Sequence, residues 1–257
     1  MDVKSLIDNI LGTKILRKVP EITAIFWIIK LLSTALGEST SDYLVHTINP
    51  VVAVILGAFG FTIAIILQLR VKKYVAWTYW LAVTMVAIFG TMAADVVHIV
   101  LGVPYLISTI SFIVILTIIF MVWQRVERSL SIHSIITPRR ELFYWAAVCT
   151  TFALGTALGD TTAITFNLGY LDSGILFTIL FFLPLFFYGT THKSEVLTFW
   201  ISYIMTRPLG ASYADWLGRT PDLGGIGFGT GRTSIILAAS IIVLVVYISV
   251  KGRRKLI

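Results

Sequence analysis

Four aspartates, Asp42, Asp95, Asp160 and Asp215, each stand 15 residues after a tryptophan. Each copy reads aromatic-Trp, nine residues, Gly, four residues, Asp: Phe26-Trp27…Gly37…Asp42, Tyr79-Trp80…Gly90…Asp95, Tyr144-Trp145…Gly155…Asp160 and Phe199-Trp200…Gly210…Asp215. Glu38 precedes Asp42 by four residues, so on a helix the two carboxylates share a face. Hydroxyls stand beside them: Ser39, Thr40 and Ser41, then Thr161 and Thr162, then Ser212. Carboxylates with hydroxyls are hard oxygen donors, suited to Mn²⁺, Mg²⁺, Ca²⁺ or protons. The candidate binding set is therefore Asp42, Asp95, Asp160, Asp215, Glu38, Ser41 and Thr161. His46 and His98 follow Asp42 and Asp95 by four and three residues, where either could add a nitrogen ligand or relay protons.

Two bases sit near these acids: Lys30 eight residues before Glu38, and Arg207 eight before Asp215. Five acids against two bases leave a surplus of negative charge, which in a low dielectric is relieved by a bound cation or by protonation. Lys30 and Arg207 are thus expected as counter-ions or gates. The competing reading is structural: each Asp caps a broken helix or pairs with a base, and only fixes the packing. Nothing points to an enzyme. The sequence holds no phosphate loop, no Ser-His dyad and no zinc-type cluster, and its single cysteine is Cys149. Ala157-Leu158-Gly159-Asp160 is one residue short of the Gly-x-Gly-Asp pattern of intramembrane aspartyl proteases, and no Tyr-Asp partner accompanies it. No cofactor is expected beyond a divalent cation as substrate.

The elements that position these residues must lie in a membrane. Of 257 residues 57% are hydrophobic and only 13% charged, about half the charge of a soluble domain. A crossing needs about 20 apolar residues, and eight stretches qualify, near 22–46, 50–69, 75–100, 104–124, 142–166, 172–190, 196–217 and 233–250. The net charge of +7 follows the loops: the bases gather at the termini and in the linkers after the second, fourth and sixth spans. That pattern argues against nucleic acid and places both termini in the cytoplasm. The chain divides into an amphipathic segment, 1–18, with Val3, Leu6, Ile7, Ile10, Leu11 and Leu16 at helical spacing. Four helix pairs follow, at 19–73, 74–128, 129–193 and 194–257, the last with a basic tail. Each pair returns to the side it left, so the expected fold is an all-α integral membrane protein of eight transmembrane helices. They form four parallel two-helix repeats with pseudo-symmetry along the membrane normal. Each motif Trp is expected at the membrane interface. Each Asp lies about 22 Å further along its helix, past the midplane. The Gly-rich stretch 218–231 is expected to fold back over the outer mouth.

The repeat also carries a resemblance. Lys18-Val19-Pro20-Glu21, Phe26-Trp27-Ile28-Ile29-Lys30, Gly37-Glu38, Ser41-Asp42, Thr206-Arg207-Pro208-Leu209-Gly210-Ala211-Ser212 and Ala214-Asp215 resemble a prokaryotic four-repeat family. It is known only as an uncharacterised membrane-anchored protein with a repeat of unknown function. The resemblance runs from about Val19 to Leu217 and implies a multi-pass protein of the prokaryotic inner membrane, with no activity attached. Gly159-Asp160-Thr161-Thr162 is loosely similar to the Glu-x-Gly-Asp-Lys-Thr motif of manganese/calcium exporters, with Ala157 in place of its Glu and Thr161 in place of its Lys. The functional expectation is a secondary transporter of a small cation, with a divalent metal such as Mn²⁺ preferred and export coupled to protons. Its partners are then the lipid bilayer, the cation and protons. Two alternatives stand beside it. One is a carrier of a small organic anion gripped by Arg207 and Lys30, and the other is a non-transporting scaffold or sensor.

Overall fold

A computed structural model describes residues 17–191 and 195–254. The amphipathic segment expected before Arg17, the linker base Lys193 and the end of the basic tail lie outside them. The described residues form eight long helices and no strand: α1 (Ala24–Thr47), α2 (Pro50–Arg70), α3 (Ala76–Asp95), α4 (Tyr105–Glu127), α5 (Pro138–Asp160), α6 (Gly169–Thr191), α7 (Glu195–Gly218) and α8 (Thr230–Arg254). Helix starts follow local chemistry. The Thr23 hydroxyl accepts from the Phe26 N–H at 3.3 Å, and Asn49 caps α2 ahead of Pro50. Thr137 caps α5 ahead of Pro138. Each of these side chains satisfies an amide that the first turn leaves without a partner.

The chain is an all-α membrane protein of four repeated helix pairs. Six helices are long and apolar enough to cross a bilayer, namely α2, α3, α4, α5, α6 and α8. The remaining two, α1 and α7, carry Lys30, Glu38 and Asp42 and then Arg207 and Asp215, all buried inside the protein. Their polar stripes face one another, so lipid never meets them. The first helices of the four pairs close a ring, α1 against α3, α3 against α5, α5 against α7 and α7 against α1. Each second helix packs chiefly on the first helix of the following pair: α2 on α3, α4 on α5, α6 on α7 and, closing the circle, α8 on α1. The outward faces of the second helices are apolar, as at Ile55 and Phe59, Ile110 and Val114, or Ile242 and Val243.

The motif glycines mark the ring's contacts. A methyl group on Gly37 would strike Ala87, on Gly90 the Phe152 side chain, on Gly155 Arg207 and on Gly210 Thr34. Those four neighbours occupy the same place in their own repeats, eight residues after the motif's first aromatic. One contact is therefore repeated four times around one axis, and it requires the absence of a side chain.

The tryptophans depart from expectation. Trp80, Trp145 and Trp200 are buried in the core at the end nearest the basic linkers, and only Trp27 is half-exposed. Trp200 donates to the Leu130 carbonyl at 3.0 Å. Because these rings lie between helices of the ring, they pack on the neighbouring motif aromatics, as Trp80 does on Tyr79 and Phe26. They therefore serve as core, where interface anchors were expected.

Candidate functional site

A helix brings its side chains back to one face about every four residues. Reading each ring helix at that interval gives layers around the axis. Nearest the basic linkers lie Phe26, Tyr79, Tyr144 and Phe199, then Lys30, Val83, Val148 and Tyr203. Thr34, Ala87, Phe152 and Arg207 follow, then Glu38, Thr91, Thr156 and Ala211. The four aspartates come last. Every member is buried except Asp95 and Asp160, which are half-buried.

The first layer is a closed aromatic floor, in which the Tyr79 and Tyr144 hydroxyls are hydrogen-bonded to each other. Above it Lys30, 1% exposed, lies between the rings of Phe152 and Tyr203, its Nζ 3.9 and 4.1 Å from their centroids. It has no hydrogen-bond partner. The ammonium is thus held by ring faces, not by an acid as expected. Arg207, also 1% exposed, stands among the other three ring helices. Its Nη2 donates to Glu38 at 2.7 Å, to Thr156 at 2.9 Å and to Thr91, and its Nη1 donates to the Thr34 carbonyl at 3.3 Å. One guanidinium therefore binds all three other repeats.

Sequence reasoning missed Thr91 and Thr156. The signal was present, since both stand four residues before an Asp, as Glu38 does. It also missed Arg219, which lies in the Gly-rich stretch 218–231. Arg219 follows the end of α7, but its side chain turns back by one helical turn. Its Nε donates to Asp215 Oδ1 at 2.9 Å, and its Nη2 meets Asp42 Oδ2 at 3.2 Å. The i,i+4 spacing of Asp215 and Arg219 was the available clue.

The four aspartates share one layer of the ring, with Asp42 and Asp215 on neighbouring helices. They are not equivalent. Asp42 and Asp215 are bridged by Arg219, whereas Asp95 and Asp160 have no ion pair or hydrogen bond among the described residues. Those two are also the ones followed by π turns, Val96–Val100 and Thr161–Thr165. Such local widenings of a helix recur at functional sites. The described residues contain no group of three or more His, Cys, Asp or Glu side chains placed to hold a metal ion. The physical reason is visible: Arg207 and Arg219 stand between the acids and take up Glu38, Asp42 and Asp215. Five acids with three bases leave two negative charges over.

The remaining candidates divide. Ser41 is buried with its hydroxyl unpartnered. Thr161 instead bonds the Ala157 carbonyl at 2.7 Å and the Thr109 hydroxyl at 3.0 Å, which ties it to α4. His46 is exposed, its Nδ1 2.7 Å from the Asp42 carbonyl oxygen. His98 Nδ1 faces the Val103 carbonyl at 3.2 Å and Ser108 at 3.3 Å. Both rings are thus anchored by local groups and join no carboxylate. The 218–231 stretch doubles back on the end of α7, with Ile226 N–H to the Trp216 carbonyl at 2.8 Å and Phe228 N–H to that of Leu217 at 3.0 Å. Tyr170 lies against Arg219, 5.2 Å from ring centroid to Cζ.

The same four units emerge from comparison with known families. The family described as Repeat of Unknown Function (DUF347) matches at residues 25–74, 78–129, 143–194 and 198–254. The chain belongs to this family. No curated protein and no solved structure matches it. Within each family repeat, the first helix supplies the ring and the axial residues, and the second supplies the lipid-facing wall.

Proposed function

We propose that this protein is a secondary transporter of a small cation, with a divalent metal such as Mn²⁺ as the exported substrate and protons as the exchanged ion. The observation that carries the reading is the pair Asp95 and Asp160. Two half-buried carboxylates without ion pairs or hydrogen bonds among the described residues, in one layer of the ring with Asp42 and Asp215, are costly to keep in a bilayer unless something positive visits them. The surplus of two negative charges equals one divalent cation or two protons, so exchanging one for the other leaves the site's charge unchanged. In the state described, Arg219 acts as a tethered counter-ion on Asp42 and Asp215. An arriving cation would displace it and recruit those acids, and a proton on each of Asp95 and Asp160 would release the cation. Arg207 remains bound to all three other repeats and would serve as the pivot. The aromatic floor closes the path at the basic end. By the distribution of lysine and arginine we assign that end to the cytoplasm, in the inner membrane of a prokaryote.

The test is flux into sealed proteoliposomes. Wild-type protein should drive Mn²⁺ against a pH gradient, and Asp95→Asn and Asp160→Asn should each lower that flux at least tenfold without lowering the thermal stability. Wild-type flux in both variants would remove the reading. One observation favours a second reading: Lys30 Nζ and Arg207 Nε are both buried without partners beside Phe152, where a small organic anion could join them. In that case an anion's flux would survive Asp95→Asn and vanish in Lys30→Gln.

A further inference from the structure

A cavity of about 560 Å³ opens at the basic end of the molecule, at the opposite end of the ring from the aspartates, where the last helix closes against the first. Its floor and walls are apolar, made by Ile25 and Ile29 of α1, Trp80 of α3 and Ile248 of α8. Its rim carries two bases and one acid: Arg17 from the segment before α1, Lys251 from the end of α8, and the exposed Glu21 beside them. Two buried polar groups on the lining lack any hydrogen-bond partner, Arg17 Nε and the Tyr74 hydroxyl. A guanidinium N–H buried in this way calls for an acceptor, and a charged acceptor serves it best.

We infer that this cavity holds an anionic phospholipid of the leaflet on the basic side. The phosphate would lie between Arg17 and Lys251, with Tyr74 donating to it, and one acyl chain would run along Ile25, Ile29 and Ile248. The position supports that occupant. The cavity is level with the basic linkers, where headgroups lie, and its apolar wall is continued along α8 by Leu244 and Ile241, on the face of the helix that Ile248 shares. The lipid would span the seam between the first and fourth repeats, the one closure of the ring that no linker makes covalently. The inference does not depend on what the protein carries.

The experiment is native mass spectrometry of the purified full chain in detergent, titrated with phosphatidylglycerol, phosphatidylcholine or oleate. A basic residue near a headgroup is worth about fivefold in binding, so two give the wild type a preference of about 25-fold for phosphatidylglycerol over phosphatidylcholine. Arg17→Gln and Lys251→Gln together should abolish it. Arg70→Gln, which removes an exposed charge at the same end outside the cavity, should leave it intact. Ile248→Trp should exclude the lipid while keeping both charges. Equal loss in Arg70→Gln would mean diffuse attraction only and would overturn the proposal. So would a preference that survives the double substitution, or oleate binding as tightly as phosphatidylglycerol. Should Ile248→Trp fail to fold, the charge substitutions alone decide.

Discussion

Replacing Arg207 by Met tests whether one side chain holds the four repeats together. The guanidinium makes four hydrogen bonds, to Glu38, Thr91, Thr156 and the Thr34 carbonyl. Hydrogen bonds inside membrane proteins average about 0.6 kcal/mol, so the four together contribute about 2.5 kcal/mol. Substitution also strands Glu38, and removing one partner of a buried ion pair costs about 3–5 kcal/mol. Arg207→Met should therefore lose about 3–5 kcal/mol, and Glu38→Met a similar amount, because it strands a guanidinium that cannot neutralise itself. The double variant strands neither charge and should lose only about 3 kcal/mol. Equilibrium unfolding in mixed micelles, followed by helical ellipticity, gives the three values and closes the cycle. The coupling should be at least about 3 kcal/mol. A double variant whose loss equals the sum of the two singles within about 0.5 kcal/mol, the tolerance for independent sites, would refute the axial role of Arg207.

Other expectations follow from the same geometry. Among the motif glycines, Gly37→Ala should be the most damaging, since the added methyl meets Ala87 backbone, and Gly90→Ala the mildest, since it meets only the Phe152 Cβ at 3.1 Å. Thermal melting should rank them so, with overpacking losses of about 1–3 kcal/mol. Asp95→Asn and Asp160→Asn should leave stability unchanged or raise it, because each removes an unpaired charge. Asp215→Asn should lower it by taking a partner from Arg219. At the basic end, Lys18 pairs with Glu141, which also accepts from Gln68 at 3.2 Å. Lys18→Met should therefore destabilise by about 3 kcal/mol, and Lys18→Met with Glu141→Met by less. Orientation is checked by labelling single cysteines placed at Ser129 and at Thr220 in a Cys149→Ala background. Only the Thr220 position should react with an impermeant maleimide applied outside cells.

Particular residues divide what could be read from the sequence from what could not. The helix count, the four-repeat organisation and the burial of acids were legible because hydropathy and a 15-residue spacing are properties of the chain. Arg207 was recognisable as a counter-ion since a lone base in an apolar span must find an acid. Lys30 obeyed the same logic yet found aromatic faces, because its layer offers Phe152 and Tyr203 and no carboxylate. Thr91 and Thr156 carry no charge to attract notice. They matter only through the arginine that reaches them from another repeat. The tryptophans misled for a related reason, since an amphipathic ring at a helix end suits an interface or a core equally, and only neighbouring helices choose between them.

The sequence by itself determined that the chain lives in a membrane, crosses it in four repeated pairs and places four aspartates at one depth, for these follow from residue type and interval alone. Tertiary structure decided which acids stay unpaired. Four identical intervals make the aspartates equivalent along the chain. Arg219 turns back on its own helix to Asp215 and bridges to Asp42 on the neighbouring helix, while the π turns open beside Asp95 and Asp160. Charge pairing is settled by distances between helices, and those distances exist only once the ring has closed.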